Sequence, residues 1–200
     1  GISQTGDNAV EPALQGGFDY AHESGFYLGT WGSNVELADP NGDIADLEMD
    51  FYGGYATEVG GVGVDVGVLY FFYPGTEDLD FVEYGLGLSN SVGPADVGLS
   101  VYYSPDYFLE SGDAVYIHGA VDLPLPSDFG LSLSLGYQAI DEEDTFGTED
   151  YFDWKVGITK SLVGVDFEVA YMDTDLDEDE CFGGTDFCDA RGVFTVSKSF

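Results

Sequence analysis

The sequence predicts an all-β fold, specifically an antiparallel up-and-down transmembrane β-barrel that spans residues 1–200 as a single domain. Apolar and polar residues alternate along run after run, and every second connection between the runs is long. Aromatic residues and glycine are abundant, with 15 Phe, 14 Tyr and 29 Gly. Aromatic and β-branched residues favour strands, and glycine tolerates the bends of a curled sheet.

The alternation predicts eleven strands, each with an apolar and a polar face. Residues 62–70 give the clearest case, because valines and a tyrosine alternate with Gly63, Asp65 and Gly67. In chain order, the apolar faces are predicted to carry Leu14, Phe18 and Tyr20; Tyr27, Gly29, Trp31 and Val35; Leu47, Met49, Phe51 and Tyr55; Val62, Val64, Val66, Val68 and Tyr70; Val82, Tyr84, Leu86 and Leu88; Val97, Leu99, Val101 and Tyr103; Val115, Ile117, Val121 and Leu123; Phe129, Leu131, Leu133, Leu135 and Tyr137; Phe152, Trp154, Val156 and Ile158; Val163, Val165, Phe167, Val169 and Tyr171; and Phe194, Val196 and Phe200.

The connections alternate between short turns and longer polar loops. Barrels of the bacterial outer membrane have short turns at one end and long loops at the other, so this alternation predicts that location. Short turns are expected at residues 22–25, 57–61, 90–94, 124–128 and 161–164. Long loops are expected at residues 6–12, 37–46, 74–80, 104–113, 140–150 and 173–189.

Eleven is an odd number of strands, whereas bacterial single-chain barrels have an even number. Gly1–Thr5 precedes a long loop, so it is predicted to be the outer end of a strand that begins upstream. We therefore expect twelve strands, of which eleven are complete in this chain. A strand donated by a neighbouring chain is the alternative explanation for closure.

The net charge of −35 excludes most nucleic-acid binding, because that function needs Lys and Arg and the chain has only four. Carboxylates on the polar faces predict a lumen that favours cations. His22 and His118 lack the partners that a catalytic site needs, and no enzyme activity is expected. The predicted lumen residues are Asp19, Glu48, Asp50, Asp65, Glu83, Asp96, Asp122, Asp153, Lys155, Asp166, Glu168 and Arg191.

Several residues carry more specific expectations. Cys181 and Cys188 lie in one predicted external loop, which indicates a disulfide. Lys155 is expected to face Glu168 across a tight hairpin as a structural ion pair. Tyrosines at strand ends are expected to lie at the membrane interfaces, and Lys160 and Lys198 to extend toward lipid head groups. These tyrosines are Tyr70, Tyr84, Tyr103, Tyr137 and Tyr171.

An acidic run that includes Asp173, Asp175 and Asp177 superficially resembles a calcium loop. The glycine and glutamate spacing of an EF-hand is absent, so these residues are weak candidates for metal ligands. A solvated loop is favoured, with loosely bound Ca²⁺ left open. No cofactor is expected otherwise.

The segments Gly1-Ile-Ser-Gln-Thr5, residues 12–22 and Gly29-Thr-Trp-Gly-Ser-Asn34 resemble the TorF family, proteobacterial proteins regarded as porins. The resemblance is sharpest over residues 1–35 and is otherwise a match of strand pattern. In that family a strand ending in an aromatic-Arg-Gly precedes the Ile-Ser-Gln-Thr segment. The resemblance implies an outer-membrane barrel with a pore, but it does not indicate which solute passes through it.

The leading functional hypothesis is passive diffusion of small solutes, with cations preferred. The alternative is a structural or surface-interaction barrel with an occluded lumen and acidic loops that bind divalent ions. A soluble secreted β-protein is a third, weaker interpretation. The expected partners are membrane lipid, lipopolysaccharide and small solutes or ions, without nucleic acid; lateral self-assembly is left open.

Overall fold

The computed structural model describes residues 4–5, 9–10, 12–38, 41–76, 78–182 and 184–200. Within them the chain is almost entirely strands and turns. Short helical turns lie at Phe108–Glu110, Glu143–Phe146, Glu178–Glu180 and Asp186–Cys188. The strands are β1 (Gln4–Thr5), β2 (Ala9–Val10), β3 (Gln15–Ala21), β4 (Phe26–Ala38), β5 (Ile44–Val59), β6 (Val62–Phe72), β7 (Phe81–Val92), β8 (Ala95–Ser104), β9 (Ala114–Leu125), β10 (Phe129–Ile140), β11 (Tyr151–Leu162), β12 (Val165–Thr174) and β13 (Arg191–Ser197).

Strands β3 to β13 form one antiparallel sheet in which each strand pairs with its neighbours in sequence. This confirms the all-β up-and-down prediction and the eleven predicted strands. The sheet is not closed, because β3 and β13 are both edge strands. Gln4–Thr5 pairs with Ala9–Val10 in a separate hairpin instead of joining an edge, contrary to the role predicted for it. Residues 1–3, and residues 6–8 and 11 of the first predicted loop, lie outside the described residues.

The period of two along each strand sorts the side chains between two faces of the sheet. The outer face is apolar and open, with Val66, Leu86, Ile158 and Val169 between 47 % and 62 % exposed. Soluble proteins rarely expose a continuous apolar surface of this kind, so the outer face is suited to an apolar medium.

The predicted faces of β4 are reversed in the structure. Phe26 and Leu28 face outward and are 63 % and 57 % exposed, while Tyr27 and Trp31 face inward. Both parities of this strand carry large apolar groups, so alternation alone does not decide between them. The inward direction gives the Tyr27 hydroxyl an acceptor, because it donates a hydrogen bond to Asp65.

The connections are short at one end of the sheet and long at the other, as predicted. We call these the short-turn end and the long-loop end. The turn between β5 and β6 uses Gly60 and Gly61, both with positive φ, 62° and 84°. Two successive positive φ values are typical of the tight hairpin turns that match strand twist.

An aromatic cluster forms at the long-loop end from three loops and the first residue of β7. We call Phe81, Tyr107, Phe108, Phe146 and Phe182 the aromatic cap. Tyr107 lies 4.8 Å from Phe81 and 5.5 Å from Phe146, and Phe146 lies 5.2 Å from Phe182, measured between ring centroids. These edge-on and tilted arrangements are favourable aromatic contacts. The cap joins the loops after β8, β10 and β12 into one packed unit.

The predicted disulfide between Cys181 and Cys188 is confirmed, and Cys181 is fully buried. The disulfide closes a short loop beside the aromatic cap. It also constrains Phe182, which follows Cys181 in the sequence. Constraining so short a loop contributes about 2–3 kcal/mol of local ordering.

Tyrosines on the outer face end the strands at the long-loop end and bond to loop aspartates. Tyr70 donates to Asp80 at 2.8 Å and Tyr137 donates to Asp150 at 2.8 Å. The same aspartates accept backbone N–H groups at 2.7 Å and 2.9 Å. Each carboxylate therefore ties an interfacial ring to the start of its loop. Tyr103 also bonds to Asp113, and Tyr171 donates to Asp173 near the end of β12.

The two outward-facing lysines lie near the short-turn end and contact neighbouring groups. Lys160 donates to the backbone oxygen of Ser127 and lies 4.8 Å from the ring centre of Phe129. Lys198 lies 5.0 Å from the ring centre of Phe200. Cation–π contacts of this kind leave the ammonium groups near the rim of the sheet.

Replacing both cysteines, C181S with C188S, should loosen the loop beside the cap while the sheet stays folded. Without the cross-link, Phe182 loses its constraint against Phe146. Limited proteolysis should cut residues 175–190 faster than in the unmodified protein. The shift in gel mobility on heating, which reports the folded barrel, should not change. Equal cleavage rates would contradict the stabilising role.

Candidate functional site

The inner face of the sheet is the candidate site, because it gathers the charged side chains of many strands. Every predicted lumen residue lies on this face in the strand registers. They extend from the long-loop end to the short-turn end and do not converge on one centre. The residues placed there are Asp19, Glu48, Asp50, Asp65, Glu83, Asp96, Asp122, Asp153, Lys155, Asp166, Glu168 and Arg191.

Carboxylates lie on the inner face beneath the aromatic cap. Glu48 accepts a hydrogen bond of 2.9 Å from the hydroxyl of Tyr73, and Glu83 faces the same interior from β7. Asp50 is 8 % exposed, and its Oδ1 has no hydrogen-bond partner among the described residues. The interior at the long-loop end is therefore acidic, and its carboxylate at Asp50 is shielded from water.

The loop between β8 and β9 folds into the interior and places Tyr107 there. Burial raises the pKa of the Tyr107 phenol well above its usual value, and the neighbouring carboxylate of Glu83 acts in the same direction. Burial and the carboxylate of Glu48 likewise raise the pKa of Tyr73. Both phenols therefore stay neutral. Sequence reasoning missed this inward loop, although Tyr107-Phe-Leu109 is an apolar triplet between acids and could have indicated burial.

Inner-face tyrosines lie flat across glycines of neighbouring strands. A Cβ at Gly67 would lie 2.7 Å from the hydroxyl oxygen of Tyr27, so no larger residue fits there without rearrangement. Gly29 lies beneath Tyr52 and Gly136 beneath Tyr116 in the same way. Because glycine has no side chain, these positions leave the space that the tyrosine rings occupy.

The same tyrosines donate hydrogen bonds to the predicted lumen aspartates. Tyr27 donates to Asp65 at 2.8 Å, Tyr116 donates to Asp153 at 2.9 Å, and Tyr52 donates to Asp19. A neutral hydroxyl satisfies a carboxylate oxygen without neutralising it. These inner tyrosines were not among the predicted site residues, and pairing across strands is what brings them to the acids.

A cavity of about 440 Å³ opens along the inner faces of β4 to β8. Tyr27, Asp65, Glu83 and Tyr102 contribute its polar lining, with Ser89 and Ser100 toward the short-turn end. Its lining contains no Lys, Arg or His. Glycines at several lining positions keep the cavity open: Gly63, Gly67, Gly85, Gly87 and Gly98.

Lys155 and Glu168 form the predicted ion pair, with a 2.7 Å contact. The pair is diagonal, because Lys155 lies opposite Met172 and Glu168 lies opposite Thr159. The Glu168 side chain crosses above Gly157, where a Cβ would lie 2.5 Å from its Oε1. This part of the inner face is therefore charge-compensated, unlike β4 to β8.

Like charges meet near the short-turn end of the inner face. Asp96 and Asp122 lie directly opposite each other on β8 and β9. Ser91 donates a 2.6 Å hydrogen bond to Asp96, and Ser161 donates to Asp166. Opposed carboxylates in a sheet are unfavourable, and hydroxyl donors and water reduce that cost.

The acidic run that contains Asp173, Asp175 and Asp177 bonds to the neighbouring strands and to its own loop. Asp175 accepts the backbone N–H of Phe152 at 2.7 Å, and Asp173 accepts the hydroxyl of Tyr171. Asp177 caps the helical turn Glu178–Glu180. In the described ranges, no three His, Cys, Asp or Glu side chains are grouped so that they could hold a metal ion. Nor does any helix described there have the length and apolar character to cross a membrane.

Comparison with solved structures identifies the architecture. The NanC porin, in a rhombohedral crystal form, superposes with a TM-score of 0.61 at 13 % identity, covering 94 % of this chain and 99 % of that chain. A porin refined at 1.8 Å resolution gives a TM-score of 0.47 at 16 % identity, covering 82 % of this chain and 57 % of that chain. The likeness to the NanC porin shows a shared fold.

No curated protein matches the sequence. The resemblance to the TorF family is not confirmed by these comparisons and stays a prediction. A family model described as a bacterial protein of unknown function, Gcw_chp, matches residues 1–200, and the chain therefore belongs to the Gcw_chp family.

Proposed function

We propose that this protein is an outer-membrane channel through which small solutes diffuse passively, with cations preferred. The observation that carries the proposal is the inner face of β4 to β8, where carboxylates line a cavity that has no basic residue. Carboxylates replace part of the hydration of a cation and repel anions, so they make a pore cation-selective.

The outer face supports a membrane location. Its exposed apolar side chains cover the strands, and tyrosines such as Tyr70 and Tyr137 lie at the long-loop end. An apolar band bordered by aromatic rings is the pattern of outer-membrane barrels. The likeness of fold to the NanC porin agrees with that location.

The charge balance of the inner face supports the preference for cations. Lys155 is paired with Glu168, and Arg191 is paired with the carboxylate of Asp186 at 3.7 Å. Neither is therefore available to neutralise the acids of β4 to β8. Low-dielectric walls focus the field of these carboxylates into the interior and raise the local concentration of cations.

A second candidate function is a barrel whose interior is occluded, with external acidic loops that bind divalent ions or partners. The inward position of Tyr107, beside Phe81 and Phe146, is the observation in its favour. Apolar constrictions can stop conduction by excluding water. Conductance measurements separate the two functions.

Neutralising three inner carboxylates, D65N with E83Q and D96N, should reduce the preference for cations. We expect the reversal potential across a KCl gradient to fall by at least a third of its unmodified value, because the fixed negative charge along the path decreases. Planar-bilayer recordings measure this potential.

The matched control neutralises three exposed loop acids, D144N with E149Q and D179N, and changes the net charge equally. It should leave the reversal potential nearly unchanged at 1 M salt, where screening acts over about 3 Å. Equal effects of the two triple variants would overturn the assignment of selectivity to the inner face.

Removing the inward aromatic rings, Y107A with F108A, should increase single-channel conductance. The two rings are the part of the aromatic cap that the loop between β8 and β9 contributes, and alanine leaves their space to water. Phe187→Ala removes an exposed loop ring and serves as the control. If the unmodified barrel conducts nothing and Y107A/F108A conducts, the occluded-barrel function is the correct one.

A further inference from the structure

The cavity along β4 to β8 has carboxylates at two separate levels. Asp65 lies on β6 and Glu83 on β7, and both line the cavity. In the strand register Asp65 is opposite Gly87, which follows Glu83 by four residues on the same strand. At about 3.3 Å per residue, the two acids are therefore about 13 Å apart along the strand direction. Acids so far apart do not share one small ion.

The lining between these two acids is aromatic and apolar. Midway between them, Gly67 is paired with Gly85. The hydroxyl of Tyr27 reaches over Gly67 and the ring of Tyr102 lies against Gly85, since added Cβ atoms would lie 2.7 Å and 3.0 Å from them. Leu69 adds an aliphatic side chain to the lining. Such a surface suits a methylene chain, and its aromatic rings also attract ammonium groups.

We propose that this cavity binds a linear aliphatic diammonium ion, with one ammonium group at Glu83, the other at Asp65 and the methylene chain along Tyr27 and Tyr102. The inference rests on the proposed function, because it names a solute class for the same interior. An ammonium group donates charge-assisted hydrogen bonds to a carboxylate, and these bonds are stronger than neutral ones. The order of charged, apolar and charged groups in the ion matches the order in the lining.

The two acids have no cationic partner in the described part of the chain. The cavity lining contains no Lys, Arg or His, and the ion pairs of the described residues engage other acids. Asp65 accepts a hydrogen bond from the neutral hydroxyl of Tyr27, which leaves its charge in place. The cavity volume of about 440 Å³ lies in the range of small-molecule pockets. A bound dication would therefore fit the cavity and compensate both charges.

Other cations match the cavity less well. A divalent metal ion needs several oxygen ligands around one centre. Within the described ranges, no three His, Cys, Asp or Glu side chains are grouped to provide them. A monoamine would pair with one acid and leave the other without a counter-ion. A diamine that is too short to reach both levels has the same disadvantage.

Binding of 1,8-diaminooctane to the folded protein in detergent, measured by isothermal titration calorimetry, tests the proposal. Its extended chain separates two ammonium groups by a distance comparable to that between the acids. We expect it to bind at least tenfold more tightly than 1,2-diaminoethane, which is too short, and than ethylamine, which carries one charge. Equal affinities of the three amines, or no measurable binding of 1,8-diaminooctane, would overturn the proposal.

Single substitutions locate the two ends of the bound ion. D65N and E83Q should each weaken the binding of 1,8-diaminooctane at least tenfold, because one ammonium group loses its charged acceptor. The matched controls are D144N and E149Q, which remove the same charges from exposed loop positions and should change the affinity less than twofold. Equal weakening by the controls would show non-specific attraction to an acidic surface. Weakening by only one of D65N and E83Q would show binding through one end, and either result contradicts the proposal.

These measurements are separate from the test of the channel. Calorimetry needs no conductance, so a barrel that binds 1,8-diaminooctane in this way and conducts no ions would support the diammonium site and contradict the channel. A cation-selective barrel that does not bind 1,8-diaminooctane would support the channel and overturn the diammonium site.

Discussion

The backbone pairing of one curled sheet is the constraint on which the rest of this structure depends. A single sheet has no second layer to cover it, so each residue faces either the interior of the curl or its surroundings. Because faces alternate along every strand, the registers fix both the apolar outside and the acidic inside. A change of register by one residue would move carboxylates onto the apolar face. The same pairing leaves β3 and β13 as the two places where the pattern is incomplete.

The interior holds many carboxylates because its hydrogen-bond donors are neutral. Tyr27, Tyr73 and Tyr116 each donate to an acid, and none adds a positive charge. Lysine or arginine at these positions would satisfy the oxygens equally well and would cancel the field. Glycines beneath Tyr27 and Tyr116 allow this arrangement, since a side chain at Gly67 or Gly136 would occupy the position of the ring. The lining therefore stays negative where these tyrosines donate to its carboxylates.

The elements that depend on local pattern were predictable, and those that depend on long-range packing were not. Alternation and turn residues predicted the strands and the sorting of loops by length, and the presence of two cysteines in one loop predicted the disulfide of Cys181 with Cys188. The reversal of β4 was missed because Tyr27 and Trp31 are amphipathic, and only the position of Asp65 on β6 makes the inward face favourable. The inward loop was missed because the rings that pack against Tyr107 are distant from it in sequence. The alternation of apolar and polar residues within one segment does not indicate contacts with distant segments.

In the proposed channel, the aromatic cap and the acidic layer beneath it would act together on any ion that passes between them. Phe81 lies in the cap, two residues before Glu83, and Phe71, which stacks on Phe81 at 4.2 Å, lies opposite Asp50. Apolar rings exclude water and lower the local dielectric constant, which strengthens the attraction between a carboxylate and a cation. The same rings raise the cost of removing water from that cation. In the proposed channel, selectivity and resistance to flow would therefore arise at one level of the interior, and a change to the cap would alter both.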